Sequence, residues 1–277
     1  MKDDVTPQGR PSIPSLTKLA ELTPRTLVLD MLAVAADTAL TSVALAQGGD
    51  IMGFKAGAIR VAVSRLSTQG AIISPQRGSW QLAENAPWAR EQGRWRGLSE
   101  LLCPWRENWW VAVTHQVSRS NRSGWREHER ALWQRGFAEV QRDLFVRPAN
   151  LSLAFSALRQ ELRALGMAPQ TVLLRADQLS VTPRPGLWDF RRRHTLLEKV
   201  RDEMCRLLDQ APAGTAPDKV LCARFLRVGR AATKILNTDP LLPEEWTGPS
   251  PRGEVIRLLP HFISTGRTLW FRYMGIE

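Results

Sequence analysis

Residues 59–72 read IRVAVSRLSTQGAI, and this stretch decides the fold that we expect for the first part of the chain. Its apolar residues recur at the spacing of one helix face: Ile59, Ala62, Val63 and Leu66. The other side of the same helix carries two arginines and a serine. Gly70 suits the end of a helix, and an apolar run follows it at once as a strand. The stretch therefore predicts a helix over roughly residues 55–68 that leads directly into a β-hairpin.

The segments on either side complete the order of elements. A first helix is predicted to begin near Pro24, with Thr23 as its N-cap. A second, short helix covers residues 41–47, and we expect Gly48-Gly49 to end it. After the third helix, two short strands flank the turn PQRG. Three helices followed by a hairpin are typical of a winged helix-turn-helix.

A helix with a basic outer face and an attached hairpin suits double-stranded DNA. An α-helix fits the major groove, where arginine makes bidentate contacts to guanine or binds phosphates. The predicted DNA-binding residues lie on the third helix and at the tip of the hairpin: Lys55, Arg60, Ser64, Arg65, Thr68 and Arg77. The alternative is a surface helix with solvated arginines, which is common in globular proteins.

The composition indicates a polyanionic partner. The chain has 277 residues, with 38 Lys and Arg against 27 Asp and Glu, a formal net charge of +11 and a pI near 10.6. This balance favours nucleic acid first and an anionic membrane surface second, although excess arginine also arises from a GC-rich genome. The three cysteines are far apart, and we find neither a signal-peptide core nor an apolar run of about 18 residues. We expect a cytoplasmic protein with no membrane partner.

The middle of the chain alternates strands and helices. NWWVAVTHQV (108–117) reads as a strand, followed by a helix with Ser123 as N-cap, a hairpin, a helix after Asn150 and a last strand. The order β-α-β-β-α-β is that of a ferredoxin-like sandwich, and the rest reads as helical. The predicted fold is α+β. Its parts are a disordered lead-in (1–14), a winged helix-turn-helix domain (15–86), a linker helix (87–107), a ferredoxin-like middle domain (108–180) and a helical C-terminal domain (181–277).

We find no catalytic centre in the sequence. The four histidines lack the spacing of a metal site, and no Walker loop, G-x-S-x-G elbow or G-x-G-x-x-G follows a predicted strand. The first strand of the middle domain also ends without the carboxylate that a ferredoxin-like nuclease would need there. We therefore predict no catalytic residue, metal, cofactor or enzymatic activity. The alternatives are a metal-dependent nuclease and a non-specific nucleic-acid-binding protein.

Three segments resemble the PaaX family of bacterial phenylacetate-catabolism repressors. They are IRVAVSRLSTQGAI (59–72), WREHERALWQRGFAEVQRDLFVRP (125–148) and ARFLRVGRAATKILNTDPLLPEEWTG (223–248). The third contains the closest matches: Asp239, Pro240, Leu242, Pro243, Trp246 and Gly248. The resemblance implies a homodimeric repressor of an aromatic-compound catabolic operon, released from a palindromic operator by an aryl-acyl-CoA thioester such as phenylacetyl-CoA. It also implies a bacterial, nucleoid-associated protein. The hairpin ISPQRGSWQL (73–82) departs from the family pattern, because it is shorter and less basic and has no tyrosine.

The effector and the dimer that the resemblance implies would need binding residues outside the predicted DNA-binding face. The remaining basic and aromatic residues are the candidates. A CoA thioester joins phosphates to an apolar acyl group, so its site needs arginines beside aromatic rings. The expected effector-binding residues are Trp109, His115, Trp188, Arg191, Arg193 and Arg230. Solvated helix faces would explain the arginines equally well. A palindrome needs two recognition helices about 34–36 Å apart, and the C-terminal Phe262, Trp270 and Phe271 form either the dimer interface or their own domain's core.

Overall fold

The structure is a computed structural model that describes residues 14–84 and 93–276. The predicted lead-in at 1–14 lies outside these residues except for Pro14, as does the start of the predicted linker helix. Helices and two small antiparallel sheets give the α+β fold that the sequence predicts. The division into domains at the stated boundaries stays a prediction.

The first part of the chain contains four helices and a three-stranded sheet. Its elements are α1 (Leu16–Leu19), α2 (Pro24–Ala35), β1 (Leu40–Thr41), α3 (Ser42–Ile51), α4 (Ala56–Thr68), β2 (Ile72–Ile73) and β3 (Ser79–Leu82). As predicted, Thr23 caps α2, because its hydroxyl accepts the N–H of Thr26 (3.2 Å) and Pro24 opens the helix. The strand order β1-β3-β2 places the hairpin beside the start of α3.

A pair of glycines in α3 allows close helix packing. The helix continues through Gly48 and Gly49 to Ile51, so the predicted stop at this pair is wrong. A Cβ at Gly48 would overlap the end of Met31 in α2, and one at Gly49 would lie 2.5 Å from Ile59 Cγ1 in α4. The missing side chains therefore let α3 approach both neighbouring helices. Glycine at a helix contact and glycine at a helix end look alike in sequence.

The middle part is a four-stranded sheet with two helices on one face. After a short 3-10 helix, its elements are α5 (Leu98–Leu101), β4 (Trp109–Val113), α6 (Arg122–Gln134), β5 (Ala138–Gln141), β6 (Leu144–Pro148), α7 (Phe155–Ala164) and β7 (Val172–Ala176). The strand order is β5-β6-β4-β7, and all neighbours are antiparallel. Trp110, Ala112 and Phe145 face α6 and α7, whereas Trp109 and Val111 face the C-terminal part.

Two helix starts in the middle part differ from the sequence prediction. Asn121 caps α6, because its Oδ1 accepts a first-turn N–H (3.0 Å), and Ser123 lies inside the helix. The predicted helix after Asn150 begins only at Phe155. The chain between Asn150 and Phe155 is not helical, because it starts with a contact to the segment before β4: the Asn150 carbonyl accepts the N–H of Cys103 (3.0 Å). Tertiary pairing thus overrides the local helical pattern at this point.

The C-terminal part is helical and shares a hydrophobic core with the first part. Its helices are α8 (Phe190–Gln210), α9 (Lys219–Asn237), α10 (Glu244–Thr247) and α11 (Arg252–Met274). Buried residues of α2, α3 and α4 belong to the same core cluster as those of α8, α9 and α11. The helices that hold α4 in place therefore rest directly on the C-terminal helices.

The C-terminal aromatic residues lie mostly in this core. Phe262 is 1% exposed and Trp270 is 6% exposed, whereas Phe271 is half-buried. Phe262 stacks on Phe225 at 4.6 Å, and Trp270 Nε1 donates to the Cys222 carbonyl (2.8 Å). A dimer interface built on Phe262 and Trp270 is therefore corrected in favour of the alternative, the core of their own chain.

Candidate nucleic-acid interface

The fourth helix presents a polar and basic face to solvent. Its buried side packs on α2 and α3 through the predicted apolar residues Ile59, Ala62, Val63 and Leu66. The remaining positions of the predicted DNA-binding face are all exposed: Lys55, Arg60, Ser64, Arg65 and Thr68. Thr68 Oγ1 donates to the Ser64 carbonyl (3.0 Å), which joins two of these residues along one helix side. The apolar Val61 beside them is 51% exposed.

The hairpin that follows α4 is fixed against the start of α3. Residues 74–78 between β2 and β3 are exposed, and Arg77 lies next to Gly78, whose φ of +81° favours glycine. The Gly78 carbonyl accepts the backbone N–H of Ser42 (2.9 Å), and Trp80 Nε1 donates to Ser42 Oγ (2.9 Å). These bonds hold the Arg77 turn beside the start of α3, which packs against α4.

The segment that forms this face contains charged residues of one sign. Between Asp50 and Glu84 the sequence contains no acidic residue. The exposed cations Lys55, Arg60, Arg65 and Arg77 form no ion pair with any residue that the structure describes, and Asp50 already pairs with Lys219 (2.9 Å). Four cations are thus free to neutralise an anionic partner.

The predicted effector residues Trp109 and Trp188 are packing residues. Trp109, Trp188 and Trp105 each lie against Trp246, with ring centroids 5.3, 5.8 and 4.8 Å from it. Trp109 and Trp188 are buried, and Trp188 Nε1 donates to the Gly136 carbonyl (2.7 Å). The four rings join the sheet to the C-terminal part, and Trp188 also lines a cavity of about 240 Å³ together with Arg193.

The next three predicted effector residues lie apart from one another. The guanidinium of Arg193 is buried and donates to the Ile235 carbonyl (3.1 Å), and burial lowers its pKa. Arg191 is exposed two residues away. His115 is exposed beyond the far end of β4, six residues from Trp109, which is about 20 Å along an extended strand.

Arg230, the sixth, joins the first part of the chain to α9. Its guanidinium pairs with the Asp30 carboxylate in α2, and its Nε donates to the Glu21 carbonyl (3.1 Å). Burial raises the pKa of Asp30 to about 6, against the opposing effect of Arg230. The structure brings Trp188 and Arg193 together at one cavity, whereas Arg230 lines another and His115 lies beyond β4. The assignment of the six residues to an effector stays a prediction.

The C-terminal motif that resembles the PaaX family forms a structural junction. This junction was not predicted from the sequence. Asp239 is buried, and its Oδ1 accepts the N–H of Leu241 (2.7 Å) and a hydrogen of Arg252 (3.2 Å). The Leu241 carbonyl in turn accepts from Asn150 Nδ2 in the middle part (2.6 Å). Close to it, the guanidinium of Arg147 is fully buried among carbonyls, and burial lowers its pKa to about 9. The motif itself was visible in sequence, but its partners lie about 90 residues away.

The described residues contain no group of three or more His, Cys, Asp or Glu side chains placed to hold a metal ion. No helix in the described part is long and apolar enough to span a membrane.

Comparisons with known proteins define the fold only. No family model matches the chain, and no curated protein matches it. A solved structure is similar, that of the uncharacterized protein Rv0674 from Mycobacterium tuberculosis. The match has a TM-score of 0.62 and 20% sequence identity, and it covers 91% of this chain and 99% of the other. The fold over most of this chain is therefore similar to that of the mycobacterial protein.

Proposed function

We propose that this chain is a DNA-binding transcriptional regulator that reads the major groove with α4. The observation that carries the proposal is the exposed, acid-free face of α4 and its hairpin, with four cations that pair with no described residue. An α-helix of 13 residues is about 20 Å long and fits a groove about 12 Å wide. Arg60 and Arg65 then face base edges or phosphates, and Arg77 meets the backbone beside the groove.

The finer features follow from the same proposal. The order helix, strand, helix, helix, hairpin supports a winged helix-turn-helix, and the strand order β5-β6-β4-β7 supports a ferredoxin-like middle domain. On the sequence resemblance we propose a PaaX-like homodimeric repressor of an aromatic catabolic operon in the bacterial cytoplasm. Its effector is then an aryl-acyl-CoA thioester, and its operator is a palindrome.

Selection of duplexes from a random pool tests the proposal. The full chain should enrich a consensus, because contacts with phosphate alone carry no sequence information. Arg60→Ala or Arg65→Ala should weaken binding to that consensus by about 1–3 kcal/mol if the side chain reads a base. Arg77→Ala should lower the slope of log affinity against log salt by about one unit per lost phosphate contact.

The second hairpin of the chain offers a matched control. Arg142 lies in the turn between β5 and β6, where its side chain is 83% exposed and its Nε lies 3.6 Å from Asp143 Oδ2. Arg142→Ala removes the same charge from a comparable turn outside the proposed interface and should leave affinity and salt slope unchanged. Binding without any consensus would favour the non-specific alternative. If all three interface variants bind the consensus as tightly as the unmodified chain, α4 is not the reading helix.

A further inference from the structure

A cavity of about 370 Å³ lies where the first part of the chain meets the C-terminal helices. The first part contributes Met31, Ala33 and Val34 of α2, together with Leu40 of β1 and Leu82 of β3. The opposite wall consists of residues of α9 and α11. The volume lies in the range of roughly 300–1,000 Å³ that is usual for small-molecule sites.

Aromatic rings form much of the wall. Phe225 and Phe262 are stacked at 4.6 Å, and Trp95, Trp270 and Phe271 also line the space. Such a surface favours a flat, apolar group, because aromatic pairs gain from stacked and edge contacts in addition to their buried area.

The polar groups of the cavity have an excess of positive charge. Arg267 and Arg96 each lie over an aromatic ring of the wall, with 4.8 Å from guanidinium to ring centre. Arg267 donates to Thr38 Oγ1 (3.1 Å), and neither arginine forms an ion pair with a residue in the described ranges. The carboxylate of Asp30 also lines the cavity, but Arg230 already neutralises it. An anionic group therefore has two available partners here.

We infer that this cavity binds a small aromatic anion, with its ring against Phe225, Phe262 and Phe271 and its anionic group at Arg267 and Arg96. Arg96 is exposed, so the anionic end lies towards solvent and can continue into a larger polar group. In a free aromatic acid the anionic group is the carboxylate. In a thioester with a phosphorylated carrier the acyl end is neutral, and the carrier phosphates are the anionic groups.

The position of the cavity links the ligand to DNA binding. Leu82 belongs to the strand that leads from the Arg77 turn, and Ala33 belongs to α2, which supports α4. A ligand that contacts these residues and α11 together favours one placement of the DNA-reading face over another, provided that it binds the two placements unequally. This consequence rests on the proposed function, whereas ligand binding itself does not.

Binding is tested with the full chain and the fluorescent aromatic anion 1-anilinonaphthalene-8-sulfonate. Phenylacetate should displace the dye, whereas its neutral amide should not. Ala33→Phe fills the cavity and should weaken dye binding about tenfold or more, whereas Ala164→Phe adds the same ring on an exposed site of α7 and should not. Gly229→Ala is a second variant, because it adds a methyl group to the cavity wall, 3.6 Å from Phe262 Cε1. Alanine is also favourable in the middle of a helix, so this variant should fold. Melting temperatures identify variants that do not fold.

The charge requirement is tested by a matched pair in α11. Arg267→Gln should weaken dye and acid binding by about tenfold, the usual size of a charged hydrogen bond, whereas Arg257→Gln on the exposed side should not. Equal competition by acid and amide would overturn the anion requirement. Unchanged dye binding in both Ala33→Phe and Gly229→Ala would overturn the site.

The coupling to DNA is measured separately on a selected duplex. Phenylacetate and phenylacetyl-CoA are added to the complex, and the ligand that releases the duplex identifies the source of the anion. Dye binding at the cavity without any release by either ligand would overturn the coupling and leave the proposed function standing. Failure to select a duplex, with cavity binding intact, would overturn the proposed function and leave the site standing.

Discussion

Removing one partner of the buried ion pair between Asp30 and Arg230 should strongly destabilise the contact of α2 with α9. The two side chains are only 10% and 7% exposed, so each charge has lost nearly all of its water. In Asp30→Leu the guanidinium stays buried with the Glu21 carbonyl as its remaining acceptor among those described. An unpaired buried charge of this kind costs about 3–5 kcal/mol in the free energy of unfolding. The double variant Asp30→Leu/Arg230→Met removes both charges and should cost less than Asp30→Leu.

Urea unfolding followed by far-UV circular dichroism measures these differences. The matched control is Asp50→Asn, which breaks the pair between α3 and Lys219 of α9. That pair also joins the first part to α9, but its side chains are 73% and 46% exposed, so we expect a cost below about 1 kcal/mol. If Asp30→Leu costs no more than Asp50→Asn, or if the double variant is the least stable of the set, burial does not decide the strength of this contact.

Two further predictions concern packing and pH. Gly49→Ala should lower the free energy of unfolding by about 1–2 kcal/mol, because overpacking against Ile59 exceeds the gain in helix propensity, whereas Gly57→Ala meets no atom within 4 Å and should not. Burial lowers the pKa of His128 to about 4, so the unfolded chain takes up a proton first as the pH falls below 6.5, and stability is lost. Between pH 7 and 5 the loss should be about 2 kcal/mol relative to His128→Asn, which keeps an acceptor for the Ala168 N–H but does not titrate. Equal pH dependence of the two proteins, measured by urea unfolding, would contradict the assignment.

Elements with a strong local pattern were predictable from sequence. The helix α4 has four apolar residues at one-face spacing and a glycine with positive φ just after it, so both its type and its end were visible. The hairpins were visible because turn residues interrupt short apolar runs, as at residues 74–78 and at 142–143. Short connections between strands and helices made the order β-α-β-β-α-β of the middle part predictable as well.

Elements that depend on distant contacts were not predictable. Asn121 and Ser123 are both good N-cap residues, and only the path of the preceding chain decides between them. Gly48 and Gly49 looked like a helix end, because the residues that need their missing side chains lie in α2 and α4. The sequence shows that a glycine is present, whereas the neighbouring helices determine what it does.

The roles of the arginines also depend on distant contacts that the sequence does not show. Arg60, Arg193 and Arg230 all occur on amphipathic helices, and local spacing gives no means of separating their roles. Arg193 donates to a carbonyl 42 positions away and Arg230 pairs with a carboxylate 200 positions away, so both serve the fold. Arg60 lies in a stretch without an acidic residue between Asp50 and Glu84, and it forms no ion pair with any described residue. The sequence shows which arginines lack a nearby acidic residue, but only the fold shows which of them are held by distant partners and which stay available to an anionic ligand.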